Sequence, residues 1–396
     1  MLVGDFMFYL GIDIGKNTHV ASLIDDEKNI IFKSFSFSNS TDGAKALLDM
    51  LEPFKDSLEI GLEATGHYWL SLYSFLFENN FSLHVINPIQ TDGWRKGSEI
   101  RKKKNDTIDS ILIADLIRYG DFLETSLSDE NYLSLRSLSR FRSYQISTIG
   151  DLKRKVISLL DQVFPEYEKL FSDIFGKTSK EILLSLTSPS DFDNISAKKL
   201  KQILKNIRQK DFAKNKITEL SKVAKSSFGV TFCLDSFSLQ IKMLINQIDF
   251  IENQIKEIEV EISNIMNKIN SPITSVPGIG NILGATILGE IGDISRFSNP
   301  SKLVAYAGID SKVSQSGEYE ASGLSITKRG SSHLRKALFQ AALVAEFKDP
   351  VFQAFYRKKV SEGKHHFVAT TAVARKLVHV LHAVLTKNEP YIIKEV

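Results

Sequence analysis

The sequence of 396 residues is poor in cysteine, in long apolar runs and in net charge. Cys233 is the single cysteine, which excludes a disulfide within the chain and a zinc site built on several cysteines. Such cysteine usage is typical of a reducing compartment. No apolar run reaches the ~18 residues that suggest a membrane-spanning helix, and no charged segment precedes an apolar core at the N-terminus. We therefore expect a cytoplasmic protein without a membrane partner.

The formal net charge of +3 arises from 50 lysine and arginine residues against 47 acidic residues. This balance does not by itself indicate a polyanionic partner, but the basic residues are unevenly distributed. Apolar residues make up 43% and charged residues 24% of the sequence, as is typical of a folded globular protein. The length predicts two or three domains in a multidomain chain of α/β and α parts.

Residues 7–125 carry the pattern of a mixed α/β domain. Three apolar or alternating runs predict a three-stranded meander, and helical and apolar segments alternate after it. The expected elements are strands at Phe8–Asp13, His19–Asp25, Ile30–Ser38, Glu59–Glu63 and Leu83–Ile86, a helix capped by Ser40 or Thr41 that ends before Pro53, and a helix from Gly66. This order of elements is that of the RNase H-like fold.

Four carboxylates in this domain form a candidate metal site. Asp13 and Glu63 end the first and fourth predicted strands, and Asp106 and Asp109 lie three residues apart on a predicted helix face. If the two strands are neighbours, the acids form an oxygen-rich pocket suited to Mg²⁺ or Mn²⁺. Two such ions support phosphoryl transfer. Taken singly, each acid is more simply explained as a turn, cap or first-turn residue.

A basic segment precedes Asp106. Its cations are Arg95, Lys96, Arg101, Lys102, Lys103 and Lys104. A run of this kind is usually a solvated loop, but beside a metal pocket it also suits the phosphate backbone of a nucleic acid.

Residues 126–270 are predicted to be helical. Aliphatic residues recur in steps of three and four over 241–269, which predicts a coiled coil, and a weaker repeat covers 146–163. The two helices fit either antiparallel pairing within one chain or assembly of protomers. Between them, Lys198–Lys225 contains ten basic residues against two acidic ones. That composition fits a solvated helix face or a sugar-phosphate contact.

Residues 271–396 are predicted to be mainly helical. A Pro-Gly-Ile-Gly turn at 277–280 before an apolar helix is the signature of a helix-hairpin-helix motif. Gly278, Gly280 and the helix N-terminus present N–H groups suited to a phosphate. The same turn also serves purely for packing, so both roles stay open.

Ser316 precedes a glycine in a polar loop, and Lys328, Arg329 and Arg335 follow it. A serine before glycine usually marks a turn, but the three cations suit a phosphodiester. A serine hydroxyl is a poor nucleophile without activation. Because no His–Asp pair stands at a triad spacing, activation has to come from metal or carboxylates elsewhere. Ser314 is a nearby alternative nucleophile.

Six short segments, taken together, resemble the DEDD transposases of the insertion-sequence family one-ten, relatives of Piv-type DNA invertases and known as bridge-RNA-guided recombinases. They occur in the family's order and cover essentially the whole chain, which makes the set specific although each motif alone is weak. The segments are Gly11-Ile-Asp-Ile-Gly-Lys, Gly61-Leu-Glu-Ala-Thr-Gly, Lys104-Asn-Asp-Thr-Ile-Asp, Val276-Pro-Gly-Ile-Gly, Gln315-Ser-Gly and Ile326-Thr-Lys-Arg-Gly.

The resemblance implies a RuvC-like N-terminal domain in which Asp13, Glu63, Asp106 and Asp109 bind divalent metal. It implies a C-terminal transposase domain in which Ser316 attacks a phosphodiester and becomes covalently linked to DNA. It also implies DNA strand exchange guided by a structured non-coding RNA that pairs with target and donor DNA. The active site is then shared between protomers of a dimer or tetramer assembled through the coiled coil.

Three other functions compete with this interpretation. A RuvC-like nuclease or junction resolvase uses water as its nucleophile and does not need Ser316. An actin-like or sugar-kinase ATPase also begins with a Gly-Ile-Asp-Ile-Gly segment, but the second phosphate loop of that superfamily is not found. A non-catalytic nucleic-acid binder leaves the four carboxylates unexplained.

Overall fold

A computed structural model gives the structure of the chain. It describes residues 7–64, 66–98, 105–122, 129–192, 195–205, 207, 210–311, 315–316, 319–320 and 325–393. The chain folds into two compact units. The first unit consists of the residues up to Asp129 together with the segment Gly292–Ser298. The second unit consists of Glu130–Ile291 and the chain from Asn299 onward. The predicted functional division into segments 7–125, 126–270 and 271–396 stays a prediction.

A five-stranded sheet forms the centre of the first unit. Its order is β3-β2-β1-β4-β5, with β1, β2 and β3 antiparallel and β1, β4 and β5 parallel. The strands are β1 (Phe8–Asp13), β2 (Thr18–Asp25), β3 (Ile30–Ser38), β4 (Leu58–Glu63) and β5 (Ser82–Ile86). Each predicted strand is confirmed to within one residue, because apolar periodicity marks a buried strand strongly.

Four α-helices accompany the sheet. They are α1 (Thr41–Leu51), α2 (Trp69–Glu78), α3 (Pro88–Ser98) and α4 (Asp106–Tyr119), with a 3-10 helix at Glu52–Ser57. Ser40 caps α1 by accepting a hydrogen bond from the Gly43 N–H at 3.2 Å, as predicted. The predicted start of α2 at Gly66 was wrong. Gly66 has a φ of +63°, outside the helical region, and the helix begins at Trp69.

The basic segment before Asp106 is not all loop. Arg95 and Lys96 lie in the last turn of α3, which the sequence analysis did not predict. Pro88 is the first residue of this helix. Proline is favourable there because a backbone N–H at the first helical position has no carbonyl acceptor within the helix. Lys102, Lys103 and Lys104 lie outside the described residues.

A glycine pair lets α4 pack directly on the sheet. Gly11 of β1 and Gly61 of β4 are register partners on the face that α4 covers. A Cβ atom added to Gly11 would lie 1.9 Å from the Ser110 carbonyl oxygen, and one added to Gly61 would lie 2.9 Å from Ile113 Cγ2. The opposite face of the sheet packs its apolar residues, among them Leu10, against α1 and α2. The two glycines therefore set how closely α4 approaches β1 and β4.

We expect Gly11→Ala to destabilise the first unit by about 2–4 kcal/mol, because the methyl group meets backbone atoms that cannot rotate away. Urea unfolding followed by tryptophan fluorescence measures this, since Trp69 and Trp94 are the only tryptophans and both lie in this unit. The matched control is Gly93→Ala on α3, where an added Cβ meets nothing within 4 Å. The control should be neutral or stabilising by up to ~1 kcal/mol. Wild-type stability in Gly11→Ala would contradict the close packing.

The second unit is mainly helical. Its helices are α5 (Glu130–Val163), α6 (Lys177–Leu183), α7 (Ala197–Lys205), α8 (Lys210–Ala224), α9 (Leu234–Ile269), α10 (Asn281–Ile291), α11 (Pro300–Ala307), α12 (Ser332–Lys348), α13 (Pro350–Ser361) and α14 (His366–Lys387). A short hairpin pairs β6 (Gln315–Ser316) with β7 (Tyr319–Glu320). A 3-10 turn at Pro272–Ser275 joins α9 to the turn that precedes α10.

The two long helices α5 and α9 pair within the chain. Arg142 forms an ion pair with Glu259 at 2.7 Å, and Gln145 Nε2 donates to Gln254 Oε1 at 2.9 Å. Residue numbers rise along α5 as they fall along α9, so the helices run antiparallel. This selects one of the two pairings that the sequence left open. Assembly of protomers through these helices stays a prediction.

Within the described part of the chain, α14 is the one helix long and apolar enough to cross a membrane. Its apolar residues Val373, Leu377 and Leu381 are buried, and the helix packs on α11, α12 and α13. Burial in the second unit therefore accounts for its composition.

Glu290 joins three helices in the second unit. Its side chain is 1% exposed and accepts two hydrogen bonds from Arg140 on α5, at 2.7 and 2.9 Å. Ser331, the N-cap of α12, donates a third at 2.7 Å. Burial by itself raises the pKa of the Glu290 carboxyl, but the bonds from Arg140 and Ser331 outweigh it and hold the pKa below its usual value. The acid on α10 is thus fully satisfied.

We expect Glu290→Gln to destabilise the second unit by about 2 kcal/mol, because the buried carboxylate accepts charge-assisted hydrogen bonds from Arg140 that an amide replaces only in part. Thermal unfolding followed by circular dichroism measures the loss. Glu259→Gln is the control, since its ion pair with Arg142 is part exposed and should contribute under ~1 kcal/mol. Equal losses in the two variants would rule out a special role for the buried carboxylate of Glu290.

Candidate active site

The four predicted carboxylates come from both sides of the contact between α4 and the sheet. Asp13 and Glu63 each follow a glycine of the pair by two residues, so the period of a strand places them on the face that α4 covers. Asp106 and Asp109 lie in the first turn of α4. Asn105 caps this helix by accepting from the Ile108 N–H at 2.8 Å, so Asp106 is not the cap. Asp106 is therefore free of a capping role.

The charges of these acids act on one another. Burial, together with the charges of Asp109, Asp106 and Glu63, raises the pKa of Asp13 to about 6. The main-chain N–H of Ile14 opposes this rise only in part. The three charges act over short range, so the structure brings all four acids into one electrostatic neighbourhood. Their assignment as metal ligands stays a prediction.

Helix α3 supplies Thr91, which the sequence did not single out, and Arg95, which was expected in a basic loop. Thr91 Oγ1 donates to Glu63 Oε1 at 2.6 Å, and Arg95 donates to Asp109 Oδ1 at 2.8 Å. Thr91 and Arg95 are four residues apart and so lie on one face of the helix. This spacing was visible in the sequence, but its meaning depends on a helix that was not predicted.

The chemistry of the site fits a divalent metal. Four carboxylates provide the oxygen ligands that Mg²⁺ and Mn²⁺ prefer, and mutual repulsion at Asp13 is what a divalent cation relieves. Among the described residues, no three acidic, histidine or cysteine side chains stand close enough together to hold an ion as they are arranged. Arg95 forms an ion pair with Asp109 at 2.8 Å, so a cation bound by Asp109 competes with Arg95 for this carboxylate.

We expect Asp13→Asn to stabilise the metal-free protein above pH 6. A carboxyl whose pKa rises from 3.8 to about 6 makes the folded state less stable as pH increases through this window. The shift corresponds to at most about 3 kcal/mol, and screening at this partly exposed side chain reduces the gain to ~1–2 kcal/mol. Urea unfolding in EDTA at pH 8 and pH 4 measures it.

The difference between Asp13→Asn and wild type should disappear below pH ~4, where Asp13 is protonated in both folded and unfolded chains. Added Mg²⁺ should stabilise wild type more than the variant. A variant less stable than wild type at pH 8 in EDTA would contradict the proposed repulsion.

Ser316 lies on the β6–β7 hairpin, where its main chain pairs with Tyr319. An isolated bridge between Ser311 and Ile326 closes the base of this segment. Thr327 donates from its hydroxyl to Asp310 beside the bridge. The Ser311–Ile326 bridge thus brings the two ends of the segment that contains Ser316 together next to Thr327. Ser314 lies outside the described residues.

The remaining predicted nucleic-acid contacts differ in their surroundings. Gly278 has a φ of +89°, and a Cβ atom there would lie 2.3 Å from the Ala341 carbonyl oxygen, so close packing on α12 explains this glycine. Gly280 faces open space. Lys328 and Arg329 are exposed. Arg335 donates to the Ala307 carbonyl at 3.1 Å, which is a structural contact.

Two family models match the chain, and together they cover more than half of it. Residues 10–165 match a transposase model, DEDD_Tnp_IS110, and residues 270–357 match the model described as transposase IS116/IS110/IS902 family. The chain belongs to the IS110 family of transposases. The first segment contains all four carboxylates, and the second contains Ser316 with Lys328, Arg329 and Arg335.

Individual relatives match this IS110 transposase over all or part of its length. The pilin gene-inverting proteins of Moraxella bovis and Moraxella lacunata are each 26% identical to it over 390 residues, which is 97% of both chains compared. The transposase for insertion sequence element IS1111A of Coxiella burnetii is 30% identical over 122 residues, 30% of this chain and 33% of that one.

Membership of the IS110 family makes the chain a DNA transposase or recombinase. It removes the ATPase and the non-catalytic binder from the competing functions. A DEDD-type domain also implies a divalent metal, in agreement with the oxygen-rich chemistry of the four acids.

Proposed function

We propose that the chain is a recombinase that cleaves and exchanges DNA strands through a covalent Ser316–DNA intermediate, with Mg²⁺ held by Asp13, Glu63, Asp106 and Asp109. The observation that carries the proposal is the convergence of these four acids, in a transposase domain, at the contact between α4 and the sheet. The strand order, three antiparallel strands followed by two parallel ones, supports an RNase H-like, RuvC-type domain.

The acids prepare the site by concentrating negative charge. When bound, a divalent cation supplies Lewis-acid polarisation of phosphate oxygens and stabilises the charge of the leaving oxygen. Arg95 and Thr91 hold Asp109 and Glu63 in fixed orientations before binding.

A serine nucleophile conserves the energy of the cleaved phosphodiester bond in a phosphoserine ester. Ser316 Oγ forms a bond to phosphorus, the bond to one deoxyribose oxygen breaks, and the serine proton passes to a carboxylate while the leaving oxygen takes up a proton. One phosphate ester replaces another. The freed hydroxyl of a different strand can then attack the phosphoserine and rejoin the backbone without an external energy source. Lys328 and Arg329, both exposed, are suited to hold the phosphate.

The partners we propose are element-end and target DNA, together with a structured guide RNA that pairs with both. Two full-length relatives are named for inverting a pilin gene, which is a cut-and-rejoin reaction. We propose a homo-oligomer in which one protomer's carboxylates serve the Ser316 of another. The second candidate is a metal-dependent nuclease with water as nucleophile, which the carboxylate cluster alone would support.

The test is to incubate the protein with element-end DNA, flanking RNA and Mg²⁺, and to look for DNA-linked protein on a denaturing gel. We expect a covalent species in wild type, none in Ser316→Ala, and a yield at least ~100-fold lower in Asp13→Asn, because a metal ligand is lost. Omitting the RNA should abolish cleavage at defined sites.

Ser314→Ala is the matched control, since it removes a neighbouring hydroxyl and should retain the covalent species. Cleavage by Ser316→Ala without any DNA-linked protein would overturn the serine mechanism in favour of the nuclease. A covalent species that forms in Ser316→Ala but not in Ser314→Ala would move the nucleophile to Ser314.

A further inference from the structure

A groove of about 920 Å³ lies between α7 and α8, in the helical segment that separates the two matched family segments. Five of its lining residues are lysines: Lys198, Lys201, Lys205, Lys210 and Lys214. Leu200 and Gln202 complete the lining, so among the described residues no acidic side chain contributes to it. The groove thus presents charge of one sign.

The lysines are arranged on two helix faces. Lys198, Lys201 and Lys205 are spaced three and four apart on α7, and Lys210 and Lys214 four apart on α8. These spacings align side chains on one face of each helix. The apolar residues of the same helices, such as Ile203 and Ile217, are buried in the core shared with α5 and α9. Packing therefore fixes which way the lysine faces point.

A solvated helix face normally pairs its cations with acids three or four residues away. Elsewhere in this unit that pattern is present, since Lys216 pairs with Glu219 and Lys359 pairs with Glu362, each three residues apart and at 2.8 Å. Among the described residues, none of the five groove lysines forms an ion pair. Within the part of the chain that the structure describes, no ion pair offsets their mutual repulsion, which favours an external polyanion.

The dimensions fit a phosphate backbone. The seven-residue step from Lys198 to Lys205 covers ~10 Å of helix axis, and one strand of a duplex carries a phosphate every ~3.4 Å of its axis. The α7 face therefore spans about three phosphates. We propose that this lysine groove binds the phosphate backbone of a nucleic-acid duplex, outside the catalytic segments. The inference takes from the proposed function only the class of partner, and it does not require Ser316.

The experiment compares Lys201→Gln/Lys214→Gln, one lysine from each helix, with wild type in the full-length protein. Binding to ~20-base-pair RNA and DNA duplexes of one sequence is measured in EDTA over a range of salt, so that no cleavage step enters. We expect the slope of log affinity against log salt to fall by about 2, since each lysine neutralises one phosphate. Affinity near physiological salt should fall about tenfold or more.

The matched control is Lys222→Gln/Lys225→Gln, which removes two exposed lysines of the same segment that do not line the groove. Lys201→Arg/Lys214→Arg should bind like wild type, because it restores the charges. A loss of affinity for only one of the two duplexes, RNA or DNA, supports binding at the groove and identifies which nucleic acid supplies the phosphates. Slopes equal to those of the control on both duplexes would overturn it, even where Ser316-dependent DNA linkage persists.

Discussion

The close approach of α4 to the glycine pair is the constraint on which the candidate active site depends. Gly11 and Gly61 leave the sheet surface without side chains where Ser110 and Ile113 cross it. A hydrogen bond between the hydroxyls of Ser22 on β2 and Ser110 on α4, 2.7 Å long, stabilises the same contact between helix and sheet. A helix held this close carries the acids of its first turn to the edge where two parallel strands end in acids. Backbone packing thus creates a concentration of negative charge that no single segment of the chain contains.

Two acids show how the chain separates stability from function. Glu290 is almost fully buried, yet Arg140 and Ser331 satisfy it, and the pKa of its carboxyl is lowered. Asp13 is only partly buried, yet burial and three neighbouring carboxylates raise its pKa to about 6. The first arrangement stabilises the folded protein, whereas the second destabilises it near neutral pH. Unrelieved repulsion of this kind is typical of a functional site, because a bound cation removes it.

Sequence reasoning recovered what local patterns determine and missed what depends on tertiary contact. The strands followed from apolar periodicity, and the ends of the first and fourth strands located Asp13 and Glu63. Helix α3 was not predicted, because Pro88 is the one sign of its first turn and its apolar residues show little helical periodicity. Arg95 was therefore assigned to a loop. The heptads of α9 define an apolar face, but a face does not specify its partner. Only the packed structure shows that α5 covers it.

The length of α5 sets the separation between the proposed lysine groove and α10 within the second unit. Arg140 contacts α10 near the start of α5, whereas the core under the lysine groove includes residues near its end, such as Leu160. The 20 residues between them span ~30 Å of straight helix. A duplex that reaches from the groove to the neighbourhood of α10 therefore covers ~9 base pairs at 3.4 Å each. A short single contact cannot do this, so a partner that engages both ends has to extend over that length.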